Sequence, residues 1–121
     1  MTLEELNAKL DLEYEDLVVQ GLKWSIEHDE NEHVYFLEHA YEFAHYQEVK
    51  YFFENMTEEE YNENWKDLIE ANEGINLLQG IFQDWLNYET EWLNFFNPQD
   101  LETIIRSYLK IPKSTYNPQK R

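Results

Sequence analysis

The sequence predicts an all-α protein: a compact bundle of four to five helices with a short basic C-terminal tail. Three observations carry that prediction. Apolar residues recur three or four positions apart over long stretches, which is the spacing of one helix face. A threonine stands three residues ahead of a glutamate at Thr2–Glu5 and again at Thr57–Glu60, the spacing of a capping box. Only three glycines and three prolines occur in 121 residues, too few to punctuate an all-β chain. A chain of this length holds one core, so residues 1–111 are expected to form a single helical domain and 112–121 a flexible basic tail.

The first element follows the Thr2 cap, with Leu3, Leu6 and Leu10 on one face. Either Asp11 ends it and caps the next helix, or the pattern runs on through Tyr14, Leu17 and Gly21 as one longer helix. Leu17 to Ile26 reads as helix, although Val18, Val19, Trp24 and Ile26 would also suit a strand. The acid-crowded segment from His28 to His33 is a polar loop. A second strong helix spans about 33–55, with Leu37, Ala40, Tyr41, Ala44 and Phe52 on its apolar side. Asn55 and Met56 close it just before the next cap. So short a link predicts antiparallel packing of the two helices it joins.

The stretch from Thr57 to Phe96 is expected to organise the rest. Its stripe runs Tyr61, Trp65, Leu68, Ile75, Leu78, Phe82, Trp85, Trp92 and Phe96, interrupted only by Asn72. Gly74 is a candidate break, but the stripe keeps its phase across it, which favours a continuous or kinked helix at 58–96. Gly80 reads as a close-packing site. Asn97-Pro98 is a stop and restart, with Asn97 as cap and Pro98 at the first helical position. The last helix carries Leu101, Ile104, Ile105, Tyr108 and Leu109, and Pro112 ends it.

Charge is the outlying property. The formal net charge is −17, and residues 1–105 hold all 26 acids against four lysines, a net of −22. The remaining sixteen residues carry +5. Such a field disfavours direct binding to nucleic acid or anionic lipid through the body. It attracts and steers a cationic partner, unless it serves only solubility. No leader or membrane span is seen, and the absence of cysteine excludes thiolate chemistry, so a cytoplasmic setting is expected.

Four histidines, His28, His33, His39 and His45, lie among acids and form two Glu-x-x-His pairs, Glu30/His33 and Glu42/His45. Helical carboxylate metal sites need two such motifs on different helices plus two more inward glutamates. Both pairs here sit in or beside one helix, so polar surface histidines are the preferred reading, with no metal and no cofactor. No phosphate-cradling glycine loop or nucleophile elbow occurs, and the chain reads as a non-enzyme.

The carboxylate row Glu59, Glu63, Asp67 and Glu70, spaced four, four and three apart, is more informative. On one helix it would extend about 16 Å. Like charges four apart repel by a few tenths of a kcal/mol. Lys66 is the only nearby cation in sequence. The aromatics are the other half of an interface: some of Tyr35, Tyr46, Tyr51, Tyr88 and Trp92 fall off the main stripe, and tyrosine and tryptophan anchor binding surfaces. The candidate partner-binding residues are therefore Glu59, Glu63, Asp67, Glu70, Tyr88 and Trp92. The reading these support is an inhibitor that occludes the substrate groove of a basic nucleic-acid-processing protein, such as an immunity protein against a toxin nuclease. The alternatives are a phage-type nucleic acid mimic that blocks a restriction or CRISPR protein, and a structural or adaptor bundle, including a homo-oligomer.

Overall fold

The computed structural model describes residues 1–92 and 98–111, without the side chains of 87–92 and 98–100. The Thr2 capping box closes as the spacing predicts. The Glu5 amide donates to Thr2 Oγ1 at 3.1 Å, and the Thr2 amide donates to Glu5 Oε1 at 2.9 Å. Those bonds from Thr2 hold the Glu5 carboxyl below its ordinary pKa. From this cap α1 (Leu3–Glu27) runs as one helix of 25 residues, with no break at Asp11 and no strand after Leu17. It buries Leu3, Leu6, Leu10, Leu17, Gly21 and Ser25. Gly21 is used for close approach: a Cβ there would collide with the Tyr35 ring. Asp29, at φ 52°, turns the chain, and the Asn31 side chain caps the next segment by accepting from the His33 amide at 2.8 Å.

The expected helix at 33–55 is interrupted. α2 (Glu32–Glu38) and α3 (Ala40–Glu54) meet at His39, whose φ −104° and ψ 16° leave the helical region. The expected helix at 58–96 is broken twice, giving α4 (Glu58–Asn64), α5 (Lys66–Glu70) and α6 (Leu77–Trp92). α7 (Pro98–Lys110) begins on Pro98, as anticipated. The Asn97 cap, Pro112 and the basic tail lie outside the described residues. Counting α2–α3 and α4–α5 as bent rods gives five, so the all-α bundle holds, and no strand occurs among the described residues.

Residues 71–76 explain the larger break. The Asn72 amide donates to the Ile69 carbonyl and the Glu73 amide to that of Glu70, tightening the end of α5. Gly74 then takes φ +82°, a left-handed conformation that other residues adopt at a cost. Asn72 is buried because its Nδ2 bonds two carbonyls, Leu68 at 2.7 Å and Leu109 at 2.9 Å, tying the end of α5 to the end of α7. The restart is set by α1. Glu13 accepts from the Leu78 amide at 2.8 Å, placing a carboxylate at the first turn of α6, and Lys9, paired with Glu13, donates to the Ile75 carbonyl at 2.7 Å.

One contiguous core, from Leu3 to Leu109, draws on α1 and α3 to α7. α1 packs against α2, α3, α4 and α6, while α7 packs against α5 and α6. The link at Met56 is short, but the main partners of α3 are α1 and α6 rather than the α4 that follows it. Aromatic edges fill the seams: Tyr46 on Phe82 with centroids 5.6 Å apart, and Trp65 on Phe52 and Phe53 at 5.3 and 5.5 Å. Gly80 is a close-packing site as expected, since a Cβ there would overlap the Tyr108 phenol. No helix among the described residues is long and apolar enough to cross a membrane.

Candidate functional site

The acidic row is built on two short helices anchored from beneath. Tyr61, Trp65 and Ile69, spaced four apart, are buried, Leu68 and Lys66 are half-buried beside them, and Asn62, Glu63, Asn64 and Asp67 are exposed. Glu59 and Glu63 on α4 and Asp67 and Glu70 on α5 are all exposed. They do not share one straight helix, because Trp65 departs from helical geometry at φ −126° and ψ −30°. Its amide still donates to the Tyr61 carbonyl at 3.0 Å, and its carbonyl accepts from the Ile69 amide at 2.9 Å. The segment therefore bends at Trp65 rather than coming apart. At the start of α4 only half of the capping box is present: Thr57 Oγ1 accepts from the Glu60 amide at 3.1 Å, and the Glu60 carboxylate instead accepts from Asn64 Nδ2 at 3.1 Å.

The row has more cations beside it than local sequence suggests. Arg106, from α7, lays its guanidinium over the Trp65 ring at 4.2 Å from the centroid. It also donates to the Asn64 carbonyl and pairs with Glu102, each at 3.4 Å. The amino terminus lies 3.9 Å from Glu70 Oε2. The Tyr61 hydroxyl donates to the Met1 carbonyl at 2.7 Å. Burial, then the Glu70 and Glu5 carboxylates, raise the Tyr61 phenol above its ordinary pKa. Glu59, Glu63 and Asp67 form none of the salt bridges among the described residues, which leaves them the most available carboxylates of the row.

Tyr88 and Trp92 lie on α6, and their side chains are outside the described ones. Among the other rings singled out from sequence, Tyr51 is exposed, whereas Tyr46 is buried between Phe43 and Phe82 and cannot serve as a surface anchor. Burial, with Glu42 and Tyr35 nearby, pushes the Tyr46 phenol up to about 12. Tyr35 is half-buried against Gly21. Trp24 and Tyr41 are exposed instead, at 39% and 50%. Each is flanked on its own helix by a histidine four residues on: His28 stacks on Trp24 at 4.0 Å, and His45 lies 4.2 Å from Tyr41.

The histidines do not all sit on the surface. His45 is buried, with Nδ1 bonded to the Tyr41 carbonyl at 2.7 Å and its ring edge-on to Trp85 at 3.9 Å. That is the place of a core aromatic, and the polar face expected from the Glu42/His45 spacing turns inward at residue 45. His39 Nδ1 is 2.9 Å from Glu42 Oε1, using the acid that would have been its neighbour's co-ligand. Among the described residues no group of three histidine, aspartate or glutamate side chains is placed to hold a metal ion. No family model, curated protein or solved structure matches the chain.

Proposed function

We propose that the protein is a cytoplasmic, non-enzymatic inhibitor that binds a basic nucleic-acid-processing protein and occludes its substrate groove, in the manner of an immunity protein facing a toxin nuclease. The observation that carries the reading is the exposure of Glu59, Glu63, Asp67 and Glu70 on α4 and α5, above a buried footing of Tyr61, Trp65 and Ile69. Carboxylates held on a rigid base keep their spacing when a cationic groove arrives, so less ordering is needed on binding. The net charge of −17 accelerates encounter with a basic surface and makes association sensitive to salt.

A nucleic acid mimic is the second reading, favoured by exposed acids on α1 (Asp11, Glu15 and Asp16) in addition to those on α4 and α5. The two readings differ in how many faces the partner needs. Capture of host proteins on the immobilised chain, with elution by salt, tests both. A basic nuclease that elutes at high ionic strength and loses activity at one equivalent of this protein is the expected outcome. Glu63→Lys with Asp67→Lys is expected to weaken capture by at least tenfold. Unchanged capture by that variant would remove α4–α5 as the site, and a comparable loss from Glu15→Lys with Asp16→Lys would point to the mimic.

A further inference from the structure

We propose that the solvent face of α1 is a two-fold interface on which a second copy of this chain docks, with the two helices antiparallel and the axis through Val19. Leu12, Val19 and Ile26 are 62%, 45% and 80% exposed, and they recur every seven residues along an otherwise well-packed helix. Single exposed aliphatics are ordinary on a protein surface. Three aligned on one helix, with the opposite face of that helix buried in the core, form a seam of the kind that a partner helix covers.

The identity of the partner follows from the charges within the seam. Glu15 lies between Leu12 and Val19, and Lys23 lies between Val19 and Ile26; both are exposed. At about 100° per residue, all five side chains fall within about 40° of the Val19 direction. Their order is apolar, acidic, apolar, basic, apolar, and the steps of three, four, four and three are the same in either direction. An antiparallel copy therefore sets Val19 against Val19 once, on the axis, and Leu12 against Ile26 and Glu15 against Lys23 twice each. Self-complementarity of this sort defines an isologous contact. Lys23 is one of only four cations in residues 1–105, and it stands where the mirrored acid requires it. The flanking pair, Asp11 and Glu27, is like-charged, but Asp11 is already bound to Lys50 Nζ at 3.1 Å.

The seam is about 21 Å long, so association is weak and concentration-dependent. Two bodies of like charge also repel, and salt shortens the range of that repulsion to about 3 Å at 1 M. Dimerisation therefore strengthens with ionic strength, opposite in sign to capture of a basic partner. It uses no residue of the α4–α5 row, so it does not depend on the inhibitor reading; Glu15 belongs to the seam, and capture by Asp16→Lys alone, outside the five seam residues, separates the mimic from loss of the dimer.

The test is sedimentation equilibrium of the full chain across ionic strength, with cysteine cross-linking as the readout of register. The chain contains no cysteine, so each introduced thiol is unique. Val19→Cys is expected to give a disulfide dimer under mild oxidation at least tenfold faster than Glu58→Cys, an exposed control on α4. Mixed Leu12→Cys and Ile26→Cys chains are expected to cross-link with each other in preference to themselves. Val19→Glu is expected to raise the dissociation constant at least tenfold. E15K is expected to raise it about threefold and the E15K/K23E double variant to restore it. All these positions are exposed, so circular dichroism should be unchanged. A monomer at every salt and protein concentration, or Val19→Cys cross-linking no faster than the control, would overturn the proposal.

Discussion

α1 and the segment from Thr57 to Trp92 begin alike and end differently. Each opens on a threonine cap with glutamate three residues on, and each carries a regular apolar stripe. α1 continues unbroken for 25 residues, whereas the second segment becomes three helices. Along α1 the helix needs only its own hydrogen bonds and a buried face, with Gly21 spent on contact with Tyr35. In the second segment the core asks for more than one straight rod can supply. Trp65 must reach Phe52 and Phe53, Asn72 must reach the carbonyl of Leu109, and Gly74 supplies a left-handed turn between α5 and α6, which packs against α7. A stripe in phase reports which residues are buried; it does not report that the backbone between them is continuous.

Three comparisons sharpen that contrast, in decreasing order of the difference expected. Trp65→Ala removes the side chain around which α4 and α5 bend, and it is expected to cost about 3–5 kcal/mol in urea unfolding. Leu12→Ala, on the outer face of α1, should fall within about 0.5 kcal/mol of wild type. Glu13→Ala strips the first turn of α6 of its acceptor and releases Lys9 from the same pair, for an expected loss of about 1–2 kcal/mol. Hydrogen exchange should show lost protection at the start of α6 while α1 keeps its own. A Lys9→Ala/Glu13→Ala double variant that loses less than the sum of the singles would show that the two act as one staple. The smallest effect separates the two caps. Thr2→Ala and Thr57→Ala each remove one hydroxyl acceptor and should each cost about 1 kcal/mol, whereas Glu5→Ala, which also removes the acceptor of the Thr2 amide, should cost about 0.5 kcal/mol more than Glu60→Ala, which removes no return bond. Equal shifts in the urea midpoint for the two glutamate variants would mean that the missing return bond from Glu60 has no consequence.

Much of the fold was legible because it is local. The all-α class, the Thr2 cap, the restart at Pro98, the close packing at Gly80 and the exposure of Glu59, Glu63, Asp67 and Glu70 follow from spacing and residue type. What was not legible depends on contacts far along the chain. Nothing local marks Glu13 among the acids of α1, and its role appears only when Leu78, 65 residues later, is brought to it. Arg106 lies 42 residues from the Asn64 carbonyl it caps, so the acidic row seemed to have Lys66 alone for company. His45 reads as a surface residue when weighed by its Glu-x-x-His spacing with Glu42, whereas its ring packs among Tyr41, Phe82 and Trp85, the last two about 40 residues further along the chain. The break at 71–76 had a signal, Asn72-Glu73-Gly74, which an apparent continuity of phase outweighed.

The bend at Trp65 also equips the acidic face with an optical probe. Its indole is fully buried, with a guanidinium across one ring face and phenylalanine rings against it, and among the described residues no hydrogen-bond acceptor is found for Nε1. A neutral collisional quencher in solution will meet Trp24, which is partly open to water, and will not reach Trp65. Trp85 is shielded as well, so in a Trp85→Phe/Trp92→Phe variant, which leaves only Trp24 and Trp65, the light that survives quenching comes from the residue between Glu63 and Asp67, the two carboxylates that a cationic partner would cover.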